Sequence, residues 1–376
     1  MGGVKKSFRL ISRWLYRLVI KPILFLMAPD RAHSTMLLIS RNFGRIMPNF
    51  LGHKNDTMLS QDIFGIEVKN PIGIAAGLDK NAEMLDVAHS IGCGFTTVGS
   101  VTFKLRKGNP HPWFHRLLKS KSLVVNVGMA NKGLSYVARR VTKNQNHVPL
   151  VVSVAVVAHS DTDVESDIVD YACKTIKSIE AQRLANVIEL NVSCPNICDD
   201  QPFAKPRALH KLLIAVDKLN LKTSLTIKLP NSRDWIMYKN LLDVVLRHNV
   251  QGVVIANLVK DRKRATLKDQ LSDDVKGGLS GLPTQESSVR LIGKTFDYCG
   301  DKLVIVGVGG TFSAQDAYIK IRAGASMVGL VTGLVFEGPQ LIGDINYGID
   351  KLLQEDGYQN IRQAVGADRI KMTRSA

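Results

Sequence analysis

From residue 70 onward the chain alternates between two hydrophobic rhythms. Short apolar, β-branched runs ending in glycine or small polar residues fall at 72–77, 95–100, 150–157, 187–193, 225–229, 253–257, 303–309 and 327–333. Runs of that length and composition read as strands buried on both faces. Between most of them lie stretches with helical spacing, at 81–91, 165–181, 208–219, 235–248, 285–298 and 313–323. Eight strand–helix units over roughly 265 residues predict a (β/α)8 TIM barrel, an α/β fold that usually takes about 250 residues. An open doubly wound sheet would show fewer strands. Two intervals are long: 102–149 carries an extra apolar run at 123–128, and 258–302 begins with a loop rich in Lys and Arg. Long loops on a barrel usually cover its site.

The N-terminal stretch follows another pattern. Over 8–28, Arg9, Arg13, Arg17 and Lys21 recur at every fourth position, with Leu, Ile, Val, Trp14 and Tyr16 filling most of the rest. Side chains four apart share a helix face, so the cations form one stripe. A bilayer span needs about 20 apolar residues with few charges, and here a cation interrupts each turn. A cleaved signal peptide fits poorly, because no small-residue cleavage site follows an uninterrupted apolar core. The pattern predicts an amphipathic helix lying on a membrane, cations towards lipid phosphates. The alternative is a helix packed on the protein itself. Pro29 and Asp30 start a second helical piece that runs to about Met47, and 53–69 reads as loop and short hairpin strands. The expected division is a helical extension over 1–52 and a barrel over 53–376.

Composition changes this picture little. A chain of 376 residues with 45% hydrophobic content has material for a sizeable core. The formal net charge of +17 points to an acidic partner: nucleic acid, an anionic membrane or a charged small molecule. No RNA- or DNA-binding signature accompanies it and the basic residues are spread out, which disfavours nucleic acid. The five cysteines are irregularly spaced, as in a reducing compartment without a disulfide framework. Cys194 and Cys198 are the only close pair, and they lack the second cluster that a zinc site needs.

Candidate chemistry gathers where strands end. The stretch 188–198 passes from an apolar half into Asn191, Ser193, Cys194, Pro195 and Asn196. In a parallel barrel the residues after each strand converge on one mouth. The mouth should therefore hold Ala76, Gly77, Lys80, Ser100, the 191–196 cluster, Lys228, Asn257, Gly309, Gly310, Thr332 and Gly333. The last four follow strands seven and eight, where barrels commonly hold a phosphate on backbone amides. A lysine in a barrel mouth is costly unless it faces an anion, which singles out Lys80 and Lys228. No HExxH motif, carboxylate cluster or histidine pair offers a metal site, so an organic cofactor is the expected source of the chemistry.

Four spaced motifs carry a resemblance. Ala75-Ala76-Gly77-Leu78-Asp79-Lys80, Asn191-Val192-Ser193-Cys194-Pro195-Asn196, Gly277-Gly278-Leu279-Ser280-Gly281 and Gly307-Val308-Gly309-Gly310 resemble the dihydroorotate dehydrogenases. These are FMN-dependent barrels that oxidise dihydroorotate to orotate in pyrimidine synthesis. The likeness runs from about residue 15 to 350. The segment Ala28-Pro29-Asp30-Arg31-Ala32-His33 is similar to the class 2 branch, which is membrane-associated and reduces a quinone. The resemblance implies FMN contacts at Ala76, Gly77, Lys80, Ser100, Asn191, Lys228, Gly281, Gly310, Thr332 and Gly333. It implies that Lys80, Asn191, Asn196 and Asn257 hold the substrate, and that Cys194 is the catalytic base. It further implies a peripheral protein on a bacterial or organelle inner membrane.

Departures accompany these matches. Cysteine at the base position is typical of class 1, whereas class 2 carries serine. An ordinary thiol, with a pKa near 8.5, is the better base if something stabilises the thiolate. Val125, Met129, Ala130 and Leu258 stand where the family has polar or aromatic substrate contacts. Ala155 and Val331 replace an asparagine and a tyrosine near the flavin. Each lost buried partner costs about 1–3 kcal/mol. Two alternatives stay open: a flavin oxidoreductase of another substrate, and a relative without catalysis.

Overall fold

The computed structural model describes residues 2–44, 57–143, 148–160, 162–196, 201–262 and 265–369. Eight parallel strands close into a barrel: β1 (Ile72–Asp79), β2 (Phe95–Val101), β3 (Leu150–Ala155), β4 (Val187–Asn191), β5 (Ser224–Lys228), β6 (Gly252–Ile255), β7 (Val304–Val308) and β8 (Met327–Leu330). Each pairs with its neighbours in sequence, and β8 pairs with β1. All eight expected strands are present. Alternate residues face inward, and Phe95, Val151, Val187, Val254, Val306 and Met327 meet as an apolar floor. Two residues further along, in the same inward phase, Thr97, Ser153 and Glu189 are buried above it, with Thr226 in register with Glu189. The outer helices seal the larger core against the strands.

Helices 165–181, 208–219, 235–248, 285–298 and 313–323 are found with small shifts at their ends. The expected helix 81–91 is only Leu85–Ser90. The backbone N–H groups of Asn81, Glu83 and Met84 turn towards the Asp79 carboxylate instead, at 3.1, 2.8 and 2.8 Å. The two long intervals meet in an antiparallel sheet outside the barrel, formed by Phe114–Leu117, Ser122–Val125 and Gly278–Leu279. It stands beside the mouth as a wall.

The N-terminal extension is α1 (Gly2–Leu15), a π turn over Tyr16–Ile20, α2 (Lys21–Leu26) and α3 (Pro29–Phe43). Pro22 accounts for the π turn. Its missing N–H cannot serve the carbonyl four residues back, and the Lys21 N–H reaches Tyr16 O instead. The cationic stripe points the opposite way from expectation. Arg9 and Arg13 lie 3.5 and 2.8 Å from Asp344, Arg17 lies 2.5 Å from Glu337, and Lys21 stacks over Phe25 and Phe336. These carboxylates belong to the last barrel helices, so the stripe is tied to the protein, with Arg9 buried and Arg13 and Arg17 partly exposed. What faces outward is apolar: Phe8, Leu10, Ile11, Leu18 and Ile23 are exposed, Trp14 is 64% exposed and Leu26 is 90% exposed. Arg116 closes the other flank by donating to Leu24 O, Phe25 O and Met27 O at 2.8–3.1 Å. The expected division at residue 52, Met47 and Cys198 lie outside the described residues.

Candidate active site

The carboxyl ends of the strands open into a cavity of about 1110 Å³, its mouth included. Every expected site residue lines it: Ala76, Gly77, Lys80, Ser100, Asn191, Cys194, Asn196, Lys228, Asn257, Gly281, Gly310, Thr332 and Gly333. Residues that are hundreds of positions apart in sequence become neighbours because each sits at or just past a strand end. Ala155 is buried but lies outside the lining. His111, His115 and His159 also lie outside it; His111 is 3.3 Å from Asp30.

The amides are ordered by one another. Asn191 Nδ2 donates to Ser100 Oγ at 2.9 Å, and Asn257 Nδ2 donates to Asn191 Oδ1 at 3.0 Å and to Ser193 Oγ at 3.2 Å. Asn257 Oδ1 accepts from the Leu258 N–H at 2.9 Å. After these bonds Asn191 keeps one N–H for a ligand and Asn257 keeps one lone pair. Asn196 is different. Asn109 Nδ2 holds its backbone oxygen at 2.9 Å, while its side-chain Oδ1 is buried without a partner among the described residues. A buried acceptor left open in a cavity wall fits a ligand N–H.

Two lysines set the charge. Lys80 is 8% exposed, donates to Gly77 O at 3.0 Å and lies 5.2 Å over the Phe114 ring. Burial pushes its pKa down to about 8, against the pull of Asp79, Asp30 and Glu83. Lys228 is buried at the end of β5 and faces the same space. His33 of α3 reaches Leu78 O at 3.0 Å, and burial beside Lys80 holds its imidazole neutral, with a pKa down to about 3.

Cys194 corrects an expectation. Burial pushes its thiol up to about 11, against the Asn196 N–H and the charges of Lys228 and Arg106. The pocket supplies groups that favour the thiolate, but desolvation outweighs them.

The donor set fits a flavin phosphate. Gly309 and Gly310 turn through left-handed backbone at φ 115° and 64°, and Thr332 Oγ1 lies 2.8 Å from Ser280 Oγ across the same corner. A Cβ on Gly77 would meet nothing within 4 Å, so the cavity itself lies there. A Cβ on Gly310 would fall 2.5 Å from that of Gln285, so this turn admits only glycine.

Phe114, Leu123 and Leu279 also line the cavity and were not foreseen. They come from the outer sheet: Phe114 and Leu123 lie on a local hairpin, and the pairing that brings Leu279 beside it spans more than 150 positions and leaves no local pattern. Ser153 and Glu189, buried between the apolar floor and the cavity, did leave a signal: a carboxylate in the middle of an apolar strand.

Comparison with known proteins agrees with this geometry. The family model for dihydroorotate dehydrogenase matches residues 58–353. A protein named dihydroorotate dehydrogenase (quinone) from Parvibaculum lavamentivorans is 32% identical over 352 residues, covering 93% of this chain and 97% of its own. One of the same name from Natronomonas pharaonis is 34% identical, covering 94% and 99%. The crystal structure of DHODH in complex with ferulenol from Eimeria tenella matches with a TM-score of 0.80 at 25% identity, covering 91% and 96%.

Proposed function

We propose, from the premise that this chain belongs to the dihydroorotate dehydrogenase family, that it oxidises dihydroorotate to orotate with bound FMN and passes the electrons to a quinone. The observation that carries this is the arrival of all the family-matched residues in one cavity. Bound flavin supplies the two-electron acceptor there.

The chain's own residues supply the rest. The open Oδ1 of Asn196 and the spare N–H of Asn191 suit a planar ring with alternating N–H and carbonyl groups. Lys80 pairs with the substrate carboxylate. Cys194 removes the ring proton as a hydride leaves the neighbouring carbon. Lys228, a buried cation at the end of β5, would hold the flavin and favour negative charge on it. Residues 1–52 form the membrane-facing extension and 53–376 the FMN barrel. The exposed apolar face of α1 and α2, not the basic stripe, lies in the lipid and brings the quinone within reach. No described helix is long and apolar enough to cross a membrane, and the attachment proposed here is peripheral, at a bacterial or organelle inner membrane.

Anaerobic titration of the FMN-loaded protein with dihydroorotate tests the assignment. The flavin absorbance should bleach stoichiometrically, and a flavin that stays oxidised defeats the proposal. Val125, Met129 and Leu258 on the cavity wall favour a second reading, a related substrate with an apolar edge. Bleaching by another dihydropyrimidine or enoyl compound, but not by dihydroorotate, selects it.

A further inference from the structure

Between the apolar floor of the barrel and the cavity lining sits a carboxylate that the chemistry above does not use. Glu189 lies in the middle of β4, faces the barrel axis and is 3% exposed. The Ser153 hydroxyl donates to its Oε1 at 2.6 Å. A hydroxyl has one hydrogen, so the 2.8 Å contact between Ser153 and Ser100 is donated by Ser100. With that hydrogen spent, Ser100 can only accept, and it does so from Asn191 Nδ2 at 2.9 Å. Asn191 Oδ1 in turn accepts from Asn257 Nδ2 at 3.0 Å. Asn257, Asn191, Ser100, Ser153 and Glu189 thus form one chain, each donating to the next. A carboxylate only accepts, so the direction cannot reverse.

We propose that Glu189 is a positioning residue: it terminates this chain, fixes its direction, and thereby makes Asn191 a hydrogen-bond donor to the ring lying on the floor. The proposal rests on the reading above, in which flavin and substrate occupy this cavity. Their ring carbonyls are acceptors and need that donor. An amide at position 189 could either donate to or accept from Ser153, and the floor would then exist in two opposed states. Ser153→Ala breaks the same link from its other side.

The test is FMN affinity, measured by quenching of flavin fluorescence on titration into apoprotein, with orotate affinity of the loaded protein as a second readout. Glu189→Gln and Ser153→Ala should each weaken FMN binding roughly tenfold, the size of one misdirected buried hydrogen bond. Because Glu189 acts only through Ser153, the double variant should be no weaker than the worse single one. Unchanged FMN affinity in either folded variant, or losses that add in the double variant, overturns the proposal. Wild-type protein that binds FMN but is not reduced by dihydroorotate overturns the substrate reading instead, and the chain is still judged on the FMN affinities.

Discussion

At the scale of single residues, Cys194 and Lys80 impose opposite pH limits. A thiol held at about 11 is almost wholly protonated near pH 7, and its thiolate fraction grows tenfold per pH unit until that value. With Cys194 as base, the rate of flavin reduction at saturating substrate should climb with unit slope from pH 7 towards 10. Lys80 loses its charge above about pH 8, so orotate affinity should begin to fall there. The two limbs separate in stopped-flow rates and binding titrations, and a rate that is flat with pH removes Cys194 from the base role. Lys80 also leaves a mark on stability. Its folded pKa of about 8 lies below its ordinary 10.5, so the apoprotein carries the full cost of the buried cation below pH 8. That cost is relieved as pH rises from 8 to 10.5. Cys194→Ala should abolish turnover while flavin stays bound, and full activity in that variant refutes the assignment. The position of Cys194 was legible because a strand end and a proline frame it. Its high pKa was not, because burial raises it, and the walls that bury the thiol are assembled from segments far apart in sequence.

At the scale of elements, the barrel strands were legible because strands buried on both faces leave continuous apolar runs, and all eight appear where those runs fall. The N-terminal helix was legible only in part. Four-residue spacing declares a stripe but not what the stripe faces, and Asp344 and Glu337, more than 300 positions away, decide that. The difference is measurable. Replacing Ile11 or Trp14 with glutamate should sharply reduce co-sedimentation with lipid vesicles, because it puts charge on the exposed apolar face that we propose to lie in lipid. Arg13→Gln with Arg17→Gln should leave vesicle binding largely intact while making the helix more accessible to protease, since it loosens the helix from the barrel. Loss of vesicle binding in the arginine pair, with the glutamate variants unaffected, would return the stripe to the lipid side. Deleting residues 1–28 should release the protein from vesicles and lower quinone turnover, with flavin reduction by substrate largely kept.

At the scale of the whole molecule, the cavity is what ties the barrel together. Its lining comes from, or directly follows, seven of the eight strands, with β3 the exception. A ligand seated there touches nearly the full circumference, and the unfolded chain offers it no comparable site. Such a ligand stabilises the native state by RT ln(1 + [L]/Kd), about 2.7 kcal/mol when FMN is at a hundred times its Kd. In a chain of 376 residues that raises Tm by several degrees, and the rise should grow with the logarithm of FMN concentration. The same measurement separates a working flavoprotein from a relative that has lost its cofactor. By the family resemblance Ala155 and Val331 stand where two polar partners of the flavin are expected, while Ser100, Lys228, Gly310 and Thr332 remain in the lining. If the remaining set suffices, Tm rises with FMN, and rises less in Glu189→Gln at the same concentration. If the two losses prevail, Tm is indifferent to FMN, and the barrel is a scaffold without its cofactor.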